Sequence, residues 1–198
     1  MGEVESATRP AGPALKPAIL IMNLPNFFSI ARIILLFPFV YFLLNGCYGY
    51  ALAVGFAAAL TDLIDGALAR LLRQQTVLGT YLDPAADKLF MTASFITLAV
   101  AGLLPLWLTL LVIARDVVIV LGVLILHLLS LPPEPRPSMV SKVTTALQLL
   151  TIGATILSAV YALPWLTVAL IVACAAGTVV SGVQYIWRGV SILKKGKR

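Results

Sequence analysis

Asp62 and Asp65 stand three residues apart and Asp83 and Asp87 four apart, all within the stretch TDLIDGALARLLRQQTVLGTYLDPAADKLF that begins at position 61. On an α-helix, residues at i, i+3 and i, i+4 share a face, so each pair presents two carboxylates side by side. Two such helices, joined by a short turn around QQTVLGT and running antiparallel, would bring eight carboxylate oxygens to one place. An all-oxygen donor set suits a hard divalent cation, Mg²⁺ or Mn²⁺. A single ion would leave the four carboxylates at about −2, so two ions about 3.5–4 Å apart balance the charge better and form the usual clamp for phosphoryl chemistry.

The residues between the aspartates fit the same chemistry. Gly66 follows Asp65 and Gly79 precedes the second pair, removing side chains where a ligand would approach the backbone, and Ala69 does nearly the same one turn on. Arg70 and Arg73 add fixed positive charge at the end of the first aspartate helix, where a diphosphate would need it.

The elements that must hold these residues are membrane spans. Of 198 residues 61% are hydrophobic and only 11% charged, and the mean hydropathy is +1.03. No soluble globular domain has that composition. Apolar runs of about 20 residues, enough to cross a hydrocarbon core of about 30 Å, predict an all-α polytopic protein. Six transmembrane helices are placed near 27–45, 48–72, 82–103, 105–129, 138–162 and 165–189. The connections NGCYGY, GLLPLW and ALPW carry no Lys or Arg, whereas Arg9, Lys16, Arg70, Arg73, Lys88, Arg136, Lys142 and the tail WRGVSILKKGKR lie on the other side. Both termini and the aspartates are therefore expected to be cytoplasmic.

Residues 1–12 read as a disordered polar tail, followed by a short interfacial segment, PALKPAILIM, and residues 13–198 form one domain. The segment PPEPRP breaks the chain between two helices, and nothing repeats at a fixed period. No cleavable signal or transit peptide is recognisable, which points to a bacterial plasma membrane. The net charge of +6 flanks membrane spans, so anionic lipid is the expected partner and nucleic acid is not. An ionised carboxylate in a span costs about 2.5–3.5 kcal/mol, so four unpaired ones would cost on the order of 10 kcal/mol and a cation must sit among them.

The stretch resembles the signature of the CDP-alcohol phosphatidyltransferases, D-x2-D-G-x2-A-R-x8-G-x3-D-x3-D, at every position: Asp62, Asp65, Gly66, Ala69, Arg70, Gly79, Asp83 and Asp87. The resemblance implies that Asp62 and Asp83 bridge two divalent ions, with Asp65 on the first and Asp87 on the second, and that Asp87 is the general base. It also implies contacts of Gly66, Arg70 and Thr76 with the CDP moiety, and a further nucleotide contact from the segment Asn26 to Ser29. The implied reaction moves the phosphatidyl group of CDP-diacylglycerol to an alcohol with release of CMP. Positioning and charge stabilisation carry most of the rate in such a transfer.

The acceptor is narrowed by three further segments. NLPNFFSIARIILLFPFV, IARD and SKVTTALQ resemble the branch that makes phosphatidylglycerophosphate and, in the mitochondrial type, cardiolipin. Ser141, Thr145 and Gln148 would form a polar stripe on the fifth span able to receive a hydrophilic acceptor, with Arg115, Arg136 and Lys142 as candidate contacts for its phosphate. A compact chain with many cations near the site suits a small dianion. Glycerol 3-phosphate is therefore ranked first and phosphatidylglycerol second, although SKVTTALQ leans toward the cardiolipin type.

Several of these residues also have a plainer reading. Arg115 and Asp116 would equally serve to neutralise the fourth span, and His127 reads as packing or interfacial. Trp107, Trp165 and Trp187 fit an aromatic belt, Cys47 and Cys174 are small apolar residues with no metal spacing, and Lys194, Lys195, Lys197 and Arg198 would anchor the tail to lipid. As a purely structural cluster the aspartates would pair with Arg70, Arg73 and Lys88, but that leaves the glycines unexplained. An ion transporter needs a polar path to both sides, which the outer halves of these spans lack. A membrane prenyltransferase lacks the D-G-x2-A-R run, and a scaffold has no reason to bury carboxylates. The small residues in GATILSA and ACAAGTVVSG would permit close helix contact, and by analogy with the family a homodimer is expected.

Overall fold

The computed structural model describes residues 24–72, 77–129 and 138–196. These form six helices: α1 (Leu24–Leu44), α2 (Tyr48–Leu72), α3 (Val77–Val100), α4 (Leu106–Leu128), α5 (Met139–Tyr161) and α6 (Pro164–Gly196). No strand occurs among the described residues. The tail 1–12, the interfacial segment 13–22 and the PPEPRP break lie outside them.

The turns follow from single residues. Gly46 and Gly102 adopt the left-handed conformation, with φ 71° and 73°, and end α1 and α3 in the same way. The N–H one residue beyond each glycine reaches back to a helical carbonyl, Cys47 to Phe42 and Leu103 to Leu98, both at 2.9 Å. Ser138 caps α5 by accepting from the Ser141 N–H at 3.1 Å. At the other end Ala162, φ 53°, donates its N–H to Ser158 O at 2.8 Å. Pro164 then opens α6, where its missing N–H is no loss.

α1 packs on both α2 and α3, α5 on α2 and α6, and α4 mainly on α6, while α3 meets α4 and α5 more lightly. The buried centre comprises Phe39, Leu43, Ala51, Phe95, Leu98, Leu108, Val112, Ile152, Ile156 and Cys174, drawn from all six helices. At Gly55 a Cβ would lie 3.0 Å from the Phe39 ring, so glycine there lets α2 close onto α1. Large apolar side chains such as Phe37, Phe56, Val120 and Val172 point outward at more than half exposure, as a helical surface facing lipid requires.

Among the described residues, three stretches are long and apolar enough to cross a membrane: Leu106–Leu126, Met139–Tyr161 and Pro164–Lys194. Shorter apolar stretches, Ile30–Leu44 and Tyr48–Thr61, fall in α1 and α2. Two expected boundaries shift. The span placed at 82–103 is a helix that already begins at Val77, since VLGTY contains nothing that stops one. The span placed at 165–189 continues to Gly196, because its basic last turn suits both water and the helix dipole.

Candidate functional site

The aspartates sit on two unbroken helical backbones. Asp62 and Asp65 lie in the C-terminal half of α2, and Asp83 and Asp87 in the N-terminal half of α3. Each pair therefore shares a face, as the spacing predicts. α1 packs against both aspartate helices and brings in a residue that the sequence did not single out. Arg32, only 4% exposed, forms an ion pair with Asp87, whose side chain remains 46% exposed. A guanidinium inside an apolar helix needs such a partner. Asp87 thus has one side held by α1 and the other open.

A second polar layer begins one residue on. Lys88 of α3 pairs with Asp116 of α4, and Arg115 Nη1 reaches the same carboxylate at 2.9 Å. Arg115 Nη2 donates to Ser141 Oγ of α5 at 2.5 Å and to Ser181 Oγ of α6 at 3.0 Å, and its Nε lies 3.3 Å from the same Ser181 oxygen. Beside it, Ser138 Oγ donates to Gln184 Oε1 at 2.8 Å. The layer joins four helices at the level of the aspartate pairs, in a medium where unpaired polar groups are costly.

This layer changes the reading of several residues. Arg115, 6% exposed, is occupied by Asp116, Ser141 and Ser181. Ser141 and Gln148 do not line an open stripe with Thr145: Ser141 receives Arg115, Gln148 Nε2 lies 3.5 Å from Thr178 Oγ1 of α6, and Thr145 donates back to Ser141 O at 3.1 Å. Thr144 takes the inward position instead, its hydroxyl 3.0 Å from Gly177 O. Lys142 is exposed in the first turn of α5. Lys88 is drawn to Asp116, away from the structural pairing considered for the motif aspartates. The signal for Arg32 and Asp116 was available in the sequence: each is a charge within an apolar run that must have a partner on another helix.

Asn26, Ser29, Asp62, Asp65, Gly66, Ala69, Arg70, Gly79 and Asp83 are placed by their helical backbones, and the positions of their side chains lie outside what is described. Thr76, Arg73 and Arg136 lie outside the described residues, as does the His127 side chain. Four carboxylates make a donor set suited to hard divalent cations, and the half-open Asp87 leaves room for such a ligand. Among the described residues alone no group of three or more metal-ligating side chains occurs, as expected when three of the four aspartate side chains are not among them.

Comparison with known proteins identifies the family. The chain is 34% identical over 169 residues to cardiolipin synthase (CMP-forming) of Homo sapiens, covering 76% of this chain and 56% of that protein. It is 40% identical over 149 residues to the cardiolipin synthase (CMP-forming) / mitochondrial hydrolase fusion protein of Schizosaccharomyces pombe, covering 67% and 25%. With cardiolipin synthase (CMP-forming) of Streptomyces coelicolor it shares 34% over 131 residues, covering 63% and 60%. The chain spans about half the length of the relatives it first matches. A family model described as CDP-alcohol phosphatidyltransferase matches residues 22–180, a span that takes in both aspartate pairs, Arg32, Arg115 and Asp116. The chain belongs to the CDP-alcohol phosphatidyltransferase family.

Proposed function

We propose that the chain transfers the phosphatidyl group of CDP-diacylglycerol to a hydroxyl of phosphatidylglycerol, forming cardiolipin and releasing CMP. The observation that carries the choice of acceptor is the repeated likeness to proteins named cardiolipin synthase (CMP-forming), from an animal, a yeast and a bacterium. This reverses the order expected from the sequence, in which glycerol 3-phosphate came first. The argument from a small dianion was weak because Arg115, one of its three cations, is already taken up by a carboxylate and two hydroxyls. The same relatives give no preference for a bacterial plasma membrane over a mitochondrial one.

In this reading all six helices cross the bilayer, and the aspartate-bearing pole faces the compartment that receives CMP. Asp62, Asp65, Asp83 and Asp87 would hold two divalent cations, Mg²⁺ or Mn²⁺, which supply charge neutralisation to the diphosphate. The free side of Asp87 takes the proton of the acceptor hydroxyl while the ion pair with Arg32 fixes the carboxylate's orientation. The acceptor oxygen forms its bond to the lipid-side phosphorus, and the bond from that phosphorus to the CMP oxygen breaks. Arg70 lies one turn beyond Gly66 on α2, suitably placed in sequence for the phosphates of the departing nucleotide. Lys142, exposed at the start of α5, is the described cation best placed for an acceptor phosphate.

The test is CMP release by the full chain purified in detergent, with Mg²⁺ and CDP-diacylglycerol, offering phosphatidylglycerol and glycerol 3-phosphate in parallel. Turnover is expected with phosphatidylglycerol, and abolition by EDTA with recovery on adding Mg²⁺. Turnover with glycerol 3-phosphate alone would overturn the acceptor, and EDTA-insensitive turnover would overturn the metal.

A further inference from the structure

Asp116 lies outside the eight-position signature, and the transfer described above gives it no task. It is nonetheless 9% exposed and sits well inside α4, where a carboxylate persists only with strong compensation. Compensation comes from two cations on two helices, Lys88 of α3 and Arg115 of α4. Arg115 is itself tied to α5 through Ser141 and to α6 through Ser181. Asp116 is thus where α3 is fastened to the other half of the bundle.

The attachment point on α3 gives this fastening its consequence. Lys88 directly follows Asp87, and Asp87 is paired with Arg32 of α1. Successive residues on a helix point about 100° apart, so α3 is gripped at adjacent positions from two directions. Rotation of α3 in either sense, which would turn Asp83 and Asp87 off their common face, breaks one of these pairs. The rest of the α3–α4 contact is light, and its described hydrogen bond, Thr109 Oγ1 to Phe95 O at 3.2 Å, lies two turns further along α3.

We propose that Asp116 is a positioning residue: through Lys88 it sets the rotation of α3 and so the presentation of Asp83 and Asp87 to the divalent cation. This rests on the reading that the four motif aspartates hold that cation. It predicts a defect in cation affinity rather than in lipid recognition, since Asp116 acts only through the helix that carries the ligands.

The experiment measures Mn²⁺ binding to the purified full chain by the electron paramagnetic resonance signal of free Mn²⁺, together with the Mn²⁺ and CDP-diacylglycerol dependence of CMP release. Asp116→Asn and Lys88→Met are each expected to weaken Mn²⁺ binding by about tenfold or more, the usual cost of losing a residue that orients metal ligands. The KM for CDP-diacylglycerol should stay within about twofold, Asp116→Glu should recover most of the affinity, and the double variant should be no worse than the weaker single one. Lys88→Met leaves Asp116 paired with Arg115 and so remains informative if Asp116→Asn does not fold. Mn²⁺ affinity at the wild-type level in the folded variants, or a loss of turnover with unchanged affinity, would overturn the positioning role alone. A wild-type chain that binds no Mn²⁺ would instead overturn the aspartate site, and this inference with it.

Discussion

Asp87 is held by an arginine from one helix while the lysine beside it is held by an aspartate from another, and this pairing separates residues that do chemistry from residues that aim them. In the proposed site Asp83 belongs to the first kind. Asp83→Asn keeps the size of the side chain and removes a negative charge, so it should relieve repulsion within the cluster while losing a bridging cation ligand. We expect turnover to fall by about 10³-fold or more, with the thermal midpoint in detergent unchanged or raised. Wild-type turnover in that variant would reject the site. The aspartates were legible because their spacing is local: i, i+3 and i, i+4 on a helix fix a shared face whatever surrounds them. The pairings of Arg32 with Asp87 and of Asp116 with Lys88 were not, because they join different helices and no spacing along the chain encodes which helix supplies the partner. Arg115 was read either as an acceptor contact or as a neutraliser of its span, and its three occupied hydrogen-bond directions favour the second.

The helices are joined less by apolar burial than by close approach and side-chain hydrogen bonds, since lipid tails are as apolar as the residues they would replace. α5 and α6 show this most clearly. Thr144 and Thr151 donate within α5 to Val140 O at 2.8 Å and Leu147 O at 2.7 Å while their hydroxyls lie 3.0 Å from Gly177 O and 3.3 Å from Leu170 O of α6, and Thr167 of α6 returns the contact to Ala154 O at 3.5 Å. The small residues in GATILSA and ACAAGTVVSG, expected to serve contact between two chains, include Ala154 and Gly177 and here serve contact within one. A Cβ on Gly177 would stand 3.3 Å from both Leu147 Cδ1 and Thr144 Oγ1, whereas one on Gly153 would meet nothing within 4 Å. Gly177→Val should therefore cost about 1–3 kcal/mol and lower the thermal midpoint, while Gly153→Ala should be neutral or stabilising by up to about 1 kcal/mol. Equal midpoints for the two would show that the α5–α6 contact does not limit stability. Helix number and type were legible from the apolar runs, but the starts and ends were less so. Polarity marks where a helix leaves the bilayer and not where it stops, so α6 was cut short at its basic end and α3 at its polar beginning.

Across the whole molecule, every described polar pairing at the site lies at one pole. Arg32 is in the first half of α1, Lys88 and Asp87 in the first half of α3, Ser138 and Ser141 at the start of α5, and Ser181 and Gln184 in the second half of α6. The alternation of six helices puts all of these at the same end. Trp165 and Trp187, both more than two-thirds exposed, are separated along α6 by about 33 Å at 1.5 Å per residue, close to a hydrocarbon core of about 30 Å. Arg188 and Lys194 then fall beyond it, on the aspartate side. The opposite pole carries the turn with Cys47, which is exposed, whereas Cys174 is buried within α6. A membrane-impermeant maleimide should therefore modify Cys47 on sealed membranes of native orientation, leave Cys174 unmodified, and modify no cysteine on inverted vesicles. The opposite pattern would place the aspartates outside, together with the lysine- and arginine-rich pole that they share. It would contradict the charge asymmetry that orients the helices together with the proposed release of CMP on the inner side. A label on Cys47 from the outer face would support both, since in the proposed reaction the nucleotide departs at the aspartate pole, whose side of the membrane the label reports.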